Sequence, residues 1–290
     1  MRVLVAETMG MCFGVRDAIA LAHAVDDPRR VTIHGELVHN PQVLNDLARR
    51  GFAMTPEGAR GGVPATEVVL ITAHGVSDGE HARLAAAGKQ VIDTTCPLVR
   101  RVHAAARELL AEGRFVVVIG RPGHVEVEGI VGDLEHCAVW ARPEDARPLD
   151  ATRIGVVCQT TTTPADAARV HAAIEAENLG KDIRFVDTIC SPTRMHQESV
   201  RTLLRRVEAL VVVGGRHSNN TRMLGKLAEE QRVPWLHVEG PQDLDRAWLA
   251  RYATIGLTAG TSTPDETIRA VHEALLRLGD EAGRAARASA

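Results

Sequence analysis

A six-residue pattern that occurs twice constrains the fold of this chain more than any other feature. The segments Val91–Cys96 and Phe185–Cys190 both end a short β-like run with Asp-Thr-x-Cys, and a proline and a helical stretch follow each cysteine. In both copies 24 residues separate the cysteine from a glycine that ends the next apolar strand. A third, diverged copy begins at Cys12 and reaches Gly35 after 23 residues. Self-similarity at a fixed period indicates a repeat architecture, here three units with one cysteine each.

The order of elements within the repeat predicts the fold class. Short apolar strands alternate with stretches of helical periodicity, which is typical of an α/β fold with a mostly parallel sheet and helices on its faces. The units span residues 12–95, 96–189 and 190–278; the strand in residues 1–11 is expected to pack centrally or on the third unit, and the tail, 279–290, to fray. Ligands bind beyond the carboxyl ends of strands in such sheets. Pseudo-threefold (trefoil-like) packing would therefore bring the cysteines and strand-end loops to one centre.

Two local patterns give specific element boundaries. Asn40 suits a helix N-cap and Pro41 the first helical position, so a helix is expected to run to about Arg50 with His39 just before it. The segment 2–7 reads as a buried strand, and the last helix is expected to end at about Leu278.

Composition excludes several classes of function. A formal net charge of −3 gives no electrostatic reason to expect a nucleic-acid partner. No apolar run approaches the roughly 20 residues that a membrane span needs, and the first residues turn polar too quickly for a signal peptide. We therefore expect no membrane partner and a cytoplasmic location. Five widely spaced cysteines, an odd number, argue against a disulfide framework and favour metal binding or packing.

The three repeat cysteines, Cys12, Cys96 and Cys190, are interpreted as metal ligands. Structural zinc sites use short paired spacings such as C-x₂₋₄-C, and ferredoxin-type carriers use clustered C-x₂-C runs; neither is present. One cysteine per unit fits a 4Fe–4S cluster with three cysteine ligands and a fourth iron open to substrate, since an open position marks a catalytic metal site. Cys137 and Cys158 lie outside the repeat pattern and read as packing residues.

Polar loops at the predicted strand ends indicate an anion site. Glycines beside helix N-termini expose backbone N–H groups, which together with the helix dipole bind phosphate groups. Imidazole, hydroxyl and amide side chains in these loops would hold a phosphate or diphosphate without lysine: His39, His74, His124, Ser218, Asn219, Asn220 and Ser262.

Carboxylates near these motifs receive different interpretations. Glu126 is the one with an expected inward position, and a carboxyl group at a dry site delivers protons when its pKa is raised. Glu128 is the weaker catalytic candidate. Asp93 and Asp187 precede cysteines, where aspartate commonly stabilises turns. For His217 the sequence favours neither of two positions, the periphery of the site or the solvent.

These motifs together resemble the IspH/LytB family, the 4-hydroxy-3-methylbut-2-enyl diphosphate reductases of the methylerythritol phosphate route to isoprenoids. The resemblance covers essentially residues 1–278. Its carriers are Gly10–Val15, Val38–Asn40, Ala73–Ser77, Asp93–Val99, Gly123–Gly129, Gln159–Thr161, Ser218–Asn220 and Thr258–Ser262.

The resemblance implies a reductive dehydroxylation that uses two electrons and two protons. It implies that the three repeat cysteines hold a 4Fe–4S cluster, that the C4 hydroxyl of the substrate binds the open iron, and that the products are isopentenyl and dimethylallyl diphosphate. Glu126 would be the proton donor, with Thr160 beside the substrate hydroxyl. The seven loop residues would bind or support the diphosphate, and a ferredoxin or flavodoxin would supply electrons.

Two other functions stay open at this point. A non-redox 4Fe–4S dehydratase would use the open iron as a Lewis acid and need no electron donor. An α/β protein that binds phosphorylated ligands, with a structural metal or none at the cysteines, would lack iron–sulfur absorption.

Overall fold

Strands and helices mostly alternate in the computed structural model, which describes residues 1–288. The strands in that range are β1 (Arg2–Val5), β2 (Val31–His34), β3 (Ala53–Met54), β4 (Val68–Ile71), β5 (Gln90–Asp93), β6 (Phe115–Ile119), β7 (Cys137–Trp140), β8 (Arg153–Cys158), β9 (Asp182–Phe185), β10 (Ala209–Val213), β11 (Trp235–Val238) and β12 (Thr254–Ala259). A 3-10 turn joins β3 to β4 and β7 to β8. The helices are α1 (Phe13–His23), α2 (Pro41–Arg50), α3 (Asp78–Ala86), α4 (Pro97–Ala111), α5 (Val125–Val131), α6 (Pro164–Glu177), α7 (Ser191–Leu204), α8 (Asn219–Glu230), α9 (Arg246–Leu249) and α10 (Asp265–Ala288). None of these helices combines the length and the apolar composition needed to cross a lipid bilayer.

The twelve strands form three four-stranded sheets whose strand orders match position by position: β3-β2-β4-β5, β7-β6-β8-β9 and β11-β10-β12-β1. Every strand pairing is parallel. In the third sheet the N-terminal strand β1 pairs with β12 and takes the place that β5 and β9 take in the others. The α/β class, with one parallel sheet per repeat, is therefore confirmed, and each of these three edge strands leads along the chain towards one repeat cysteine.

The chain forms two compact bodies. The one-sheet body contains residues 1–12, 39–43 and the described residues from Ser191 onward, and it holds the sheet with β10 and β12. The two-sheet body contains residues 13–38 and 44–190 and holds the other two sheets.

In the one-sheet body, strand β10 is buried on both faces, as an uninterrupted apolar run predicts for a central parallel strand. Its alternate side chains point to opposite faces. Val211 and Val213 pack with α10, whereas Leu210 and Val212 pack with α7 and α8. The core thus lies in two layers, one on each side of the sheet.

The second sheet of the two-sheet body has the same construction. Val117 and Ile119 of β6 pack with α6, and Val116 and Val118 pack with α4 and α5. Cys158 lies in the first of these layers and is fully buried, in agreement with its interpretation as a packing residue.

Helix α2 begins as predicted. The side-chain oxygen of Asn40 accepts hydrogen bonds from the backbone N–H groups of Gln42 (3.0 Å) and Val43 (3.3 Å), and Pro41 is the first helical residue. An N-cap side chain satisfies amide groups that the first helical turn leaves without partners. His39 therefore stands immediately before a capped helix.

Both ends of the chain differ from the prediction. Strand β1 ends at Val5 and is not buried: Val5 is 40% exposed, because β1 is an edge strand with a neighbour on one side only. Helix α10 continues to Ala288 instead of ending near Leu278. The extension is rich in alanine and arginine, which are among the best helix formers. The predicted fraying of residues 289 and 290 lies outside the described residues.

Candidate active site

The same backbone hydrogen bond holds each of the three repeat cysteines. In every case the cysteine N–H donates to the carbonyl oxygen of the second residue beyond the end of the neighbouring strand, β12, β4 or β8. The pairs are Cys12 with Thr261 (3.1 Å), Cys96 with Ala73 (3.1 Å) and Cys190 with Thr160 (3.0 Å). The sequence repeat is therefore preserved in the backbone geometry at the cysteines.

The aspartates of the Asp-Thr-x-Cys pattern stabilise the turns before two of these cysteines. The Asp93 carboxylate accepts the backbone N–H of Thr95 at 2.9 Å and its hydroxyl at 2.5 Å. The Asp187 carboxylate accepts the backbone N–H of Ile189 at 3.1 Å. The predicted turn-stabilising role is confirmed.

The threonines of the same pattern tie each turn to the adjacent strand. The Thr94 hydroxyl donates to the carbonyl oxygen of Ile71 at 2.6 Å. The Thr188 hydroxyl donates to the Cys158 carbonyl at 2.6 Å and accepts the Cys158 N–H at 2.8 Å. Both threonines are buried.

The surroundings of the cysteines suit thiolate ligands. Cys96 is the N-cap of α4, and Cys12 and Cys190 immediately precede α1 and α7. The positive end of a helix stabilises negative charge, which favours the thiolate form that binds metals. A Cβ atom on Gly14 would lie 2.4 Å from the Cys96 sulfur, so only glycine leaves the space beside that sulfur open. Donor type and space at these positions fit a sulfur-ligated metal group.

Glu126 and Thr160 form a buried pair in the two-sheet body. Glu126 is 2% exposed in the first turn of α5, and its carboxylate oxygens accept the Thr160 N–H at 2.7 Å and the Thr160 hydroxyl at 3.0 Å. The Thr160 carbonyl accepts the N–H of Cys190. Thr160 therefore connects the predicted proton donor directly to one of the predicted metal ligands.

His124 caps the helix that carries Glu126. Its Nδ1 accepts the backbone N–H of Glu126 at 3.2 Å. A neutral imidazole that accepts at Nδ1 carries its proton on Nε2, so this hydrogen bond assigns the tautomer and makes Nε2 a donor. The His74 and His124 rings meet edge to face with centroids 5.9 Å apart.

The one-sheet body gathers the predicted hydroxyl and amide groups. Ser218 caps α8 by accepting the N–H of Thr221 at 3.3 Å, and Asn220 accepts the N–H of Thr261 at 3.0 Å. The Ser262 hydroxyl donates to the His39 carbonyl oxygen at 3.2 Å. Within the described chain, the amide nitrogen of Asn220 is buried without a hydrogen-bond partner.

The structure distributes the predicted site residues over the two bodies. The two-sheet body contains Cys96, Cys190, His74, His124, Glu126 and Thr160; the one-sheet body contains Cys12, His39, Ser218, Asn219, Asn220 and Ser262. All of the loop side chains predicted to bind diphosphate are buried, except that His74 is half-buried. His217 is exposed, which agrees with the second of its two predicted positions, in solvent. Glu128 is also exposed, and its carboxylate accepts the Gly123 N–H at 3.2 Å.

Three strand-end residues of this region received no role from the sequence, although Gln159 and Thr258 begin two of its motifs. Thr72, Gln159 and Thr258 stand at or just beyond the ends of β4, β8 and β12, and each has a buried side-chain atom without a hydrogen-bond partner among the described residues. Such atoms are rare in native proteins, and a bound water, ion or ligand is a common partner for them. The repeat did contain a signal, because all three lie in the strand-end segments that correspond between units.

Glu57 and Arg60 were also missed. A carboxylate oxygen of Glu57 lies within 4.8 Å of a ring nitrogen of His74, and Glu57 pairs with Arg60 at 2.6 Å. They belong to the connection between β3 and β4, and the corresponding connections of the other two sheets also contain a 3-10 turn, at Pro143–Asp145 and Pro241–Asp243. The motif Pro-Glu-x-Ala-Arg occurs at residues 56–60 and again at 143–147, so the repeat did contain a signal for this turn.

His103 packs between two glycines that stand next to site residues. Its ring lies 3.6 Å from where a Gly75 Cβ would be and 3.4 Å from where a Gly129 Cβ would be. Burial lowers the pKa of His103, and the nearby Arg107 charge adds to this effect. The imidazole is therefore favoured in its neutral form between the His74 loop and helix α5.

Comparisons with known proteins agree with one another. The family model described as LytB protein matches residues 3–276. A 4-hydroxy-3-methylbut-2-enyl diphosphate reductase from Aquifex aeolicus (strain VF5) is 34% identical over 277 residues, which cover 93% of this chain and 94% of that protein. A reductase of the same name from Anaeromyxobacter sp. (strain Fw109-5) is 35% identical and covers 93% of this chain and 95% of its own length.

Two solved structures are similar to the whole chain. The E-1-hydroxy-2-methyl-but-2-enyl-4-diphosphate reductase from Plasmodium falciparum has a TM-score of 0.84 at 24% identity, over 92% of this chain and 86% of that one, which shows a shared fold. An (E)-4-hydroxy-3-methyl-but-2-enyl diphosphate reductase, described as the terminal enzyme of the non-mevalonate pathway, has a TM-score of 0.65 at 33% identity, over 96% of this chain and all of that one.

Proposed function

Because the chain belongs to the LytB family, which its relatives identify with 4-hydroxy-3-methylbut-2-enyl diphosphate reductases, we propose that it catalyses this reductive dehydroxylation. The C4 hydroxyl leaves as water, and two electrons and two protons are consumed, giving isopentenyl and dimethylallyl diphosphate. This is the last step of the non-mevalonate (methylerythritol phosphate) pathway. The observation that carries the proposal is Thr160, which bonds the buried Glu126 carboxylate and the backbone of Cys190 at once.

Cys12, Cys96 and Cys190 are the proposed ligands of a 4Fe–4S cluster, one from each repeat. Their shared backbone setting and their places before helix N-termini support this assignment. When bound, the cluster would supply electrons and an open iron position for the substrate hydroxyl.

Glu126 and Thr160 are the proposed catalytic pair. The Thr160 hydroxyl donates to the carboxylate at 3.0 Å, and a hydroxyl group both donates and accepts hydrogen bonds. A substrate hydroxyl beside Thr160 would therefore join a short hydrogen-bonded path to Glu126. A carboxyl group that is 2% exposed is shielded from bulk water, as proton delivery at a dry site requires.

The diphosphate is proposed to bind to imidazole, hydroxyl and amide side chains of the strand-end loops: His39, His74, His124, Ser218, Asn219, Asn220 and Ser262. The assigned Nε2–H of His124 and the amide nitrogen of Asn220 that lacks a partner in the described chain support this role. Such donors orient phosphate oxygens by hydrogen bonding.

An electron-donating protein such as a ferredoxin or flavodoxin is the proposed partner, because the reaction consumes two electrons. We place the reaction in the cytoplasm, since cluster ligation needs reduced cysteines and cytosolic thiols are kept reduced.

The decisive experiment is anaerobic purification followed by incubation with 4-hydroxy-3-methylbut-2-enyl diphosphate and reduced viologen. We expect oxidation of viologen in step with formation of the two products. An intact cluster that consumes no reductant would contradict the assignment. Turnover of substrate without reductant would indicate a dehydratase, and a colourless protein that only binds the substrate would indicate a binding function.

Glu126→Gln tests the proton donor. We expect cluster absorption to persist and turnover to fall by about 100-fold or more, because general acid catalysis contributes roughly 10²–10⁴. Glu128→Gln is the matched control, since Glu128 is an exposed carboxylate on the same helix. Equal activity of the two variants would remove Glu126 from this role.

A further inference from the structure

The connection between β3 and β4, residues 55–67, places a carboxylate where an anionic ligand would find donors. Glu57 begins a single 3-10 turn, Glu57–Ala59. Its carboxylate lies 2.6 Å from the Arg60 guanidinium, accepts the backbone N–H of Glu36 at 2.9 Å and lies within 4.8 Å of a ring nitrogen of His74. A guanidinium, a backbone amide and an imidazole are the groups that proteins use to bind phosphate oxygens.

The guanidinium of Arg60 packs against Gly35, immediately after the end of β2. Gly35 has φ +112°, and a Cβ there would come within 2.7 Å of the central carbon of the guanidinium. The Arg60 side chain is 18% exposed, and its Nε–H is buried without a hydrogen-bond partner among the described residues. Burial lowers the pKa of this guanidinium, the direction expected of a partly desolvated cation.

The position of this turn depends on contacts other than the Glu57 carboxylate. Arg83 of α3 donates to the carbonyl oxygens of Arg60 (3.2 Å) and Gly62 (3.4 Å). Arg83 also pairs with Glu80, which bonds the buried His34 at 2.8 Å. These contacts remain when Glu57 is replaced, so the turn is expected to keep its place.

The charges around Arg60 identify which carboxylate a ligand would displace. Glu36, Glu57 and Glu80 all act on the guanidinium. Glu80 is already engaged by Arg83 and His34. Glu57 makes the direct ion pair, so Glu57 is the group that competes with an incoming anion.

We propose that Arg60 is a further ligand-binding residue of the anion site, and that Glu57 occupies its guanidinium until the diphosphate of a ligand displaces the carboxylate. The inference rests on the proposed function only in taking His74 as part of the diphosphate site. Arg60 adds a guanidinium to a site otherwise made of imidazole, hydroxyl and amide groups, and a guanidinium matches phosphate geometry with two parallel hydrogen bonds. Glu57 sets how tightly diphosphate binds.

Calorimetric titration of the cluster-loaded chain with inorganic diphosphate tests the competition. For Glu57→Gln we expect the dissociation constant to fall about tenfold, the effect of one charge-assisted hydrogen bond no longer opposed. Glu67→Gln is the control: it removes the same charge from the same body, and its side chain is 61% exposed and pairs with Arg30.

Arg60→Ala tests the guanidinium, and we expect it to raise the dissociation constant for diphosphate about tenfold. Arg60→Lys keeps the charge and should recover only part of the lost affinity. Arg49→Ala, an arginine with a 78% exposed side chain, is the control. In the Arg60→Ala background, Glu57→Gln should no longer tighten binding, because the two residues act through one contact.

Unchanged or weaker diphosphate binding by Glu57→Gln overturns the inference, as does unchanged binding by Arg60→Ala. Reductase activity is measured in parallel on the unaltered chain. If the unaltered chain is an active reductase but the variants bind diphosphate as it does, only the inference about Arg60 and Glu57 is wrong. If Glu57→Gln binds diphosphate more tightly but the unaltered chain has no reductase activity, only the proposed function is wrong.

Discussion

Single side chains fix the turns from which the site is built, and they do so unequally in the two copies of Asp-Thr-x-Cys. Thr188 makes two hydrogen bonds to the Cys158 backbone, whereas Thr94 makes one to the Ile71 carbonyl. The Ile71 carbonyl also accepts the Thr94 N–H at 3.2 Å. The two threonines therefore occupy equivalent positions in the sequence, but replacing Thr188 removes more hydrogen bonds than replacing Thr94.

We expect Thr188→Val to lower the free energy of unfolding by about 1–3 kcal/mol, because a buried backbone N–H loses the hydroxyl that it donates to. Thr94→Val should cost less, about 1 kcal/mol or below, since the Ile71 carbonyl keeps a backbone partner. Urea unfolding of both variants measures the difference. Equal losses would show that the second hydrogen bond of Thr188 contributes nothing.

Residue-level prediction from sequence succeeded where the interaction is local. Asn40 capping α2 and Asp93 closing its turn involve partners two or three residues away. The Glu57–Arg60 pair is equally local, but its meaning depends on His74 and Gly35, which the fold brings close. The repeat marks the turn, because Pro-Glu-x-Ala-Arg recurs at residues 143–147, but it does not mark the approach of His74 and Gly35.

At the scale of the element, the start of α1 is shaped by the cysteine of another repeat. Gly14 is the second residue of α1, and the Cys96 sulfur lies where its side chain would begin. In the sequence Cys12 lies between two glycines, Gly10 and Gly14. The structure shows why Gly14 is a glycine: a side chain there would collide with the sulfur of Cys96.

Gly14→Ala is expected to lower the iron bound per chain after anaerobic purification, because the added methyl group must displace the Cys96 sulfur or shift the helix, at a cost of about 1–3 kcal/mol. Gly61→Ala serves as the control, since no heavy atom lies within 4 Å of its Cβ position. Iron analysis and visible absorption measure the effect. Full iron content in Gly14→Ala would mean that the space beside the sulfur has no role in cluster binding.

Element boundaries were predictable wherever a cap or a strand end was encoded nearby, and less so where the sheet decides burial. The apolar run at the N-terminus reads as a buried strand, yet β1 has a neighbour on one side only, and edge position is a property of the sheet. The strand orders likewise required three-dimensional pairing, because the third sheet takes its edge strand from the opposite end of the chain.

At the scale of the whole molecule, buried histidines set how stability responds to pH. Burial lowers the pKa of His34, His103 and His196. The unfolded chain therefore binds more protons than the folded one below about pH 6.5, the ordinary histidine pKa. Stability must fall as pH drops through that range. Carboxylates with lowered pKa, such as Asp182, add to the loss only near and below about pH 4.

We expect the free energy of unfolding to decrease between pH 7 and pH 5.5, with each buried histidine contributing at most about 1.4 kcal/mol per pH unit. His103→Asn should make this slope shallower, whereas replacement of the exposed His217 by asparagine should not. Urea unfolding at the two pH values gives the slope. A slope that His103→Asn leaves unchanged would show that this imidazole is not kept neutral by the fold.

The pairing of β1 with β12 has a consequence for how the chain is made. Synthesis proceeds from the N-terminus, so the sheets that hold Cys96 and Cys190 leave the ribosome before residues 254–259 of β12 exist. Strand β1 and Cys12 therefore remain without their partner strand until β12 has been made, as an open edge that invites wrong pairing. The proposed cluster, which would require all three thiolates, would thus be incorporated only after β12 has been made. A ribosome-bound chain without β12 lacks the completed sheet that fixes Cys12.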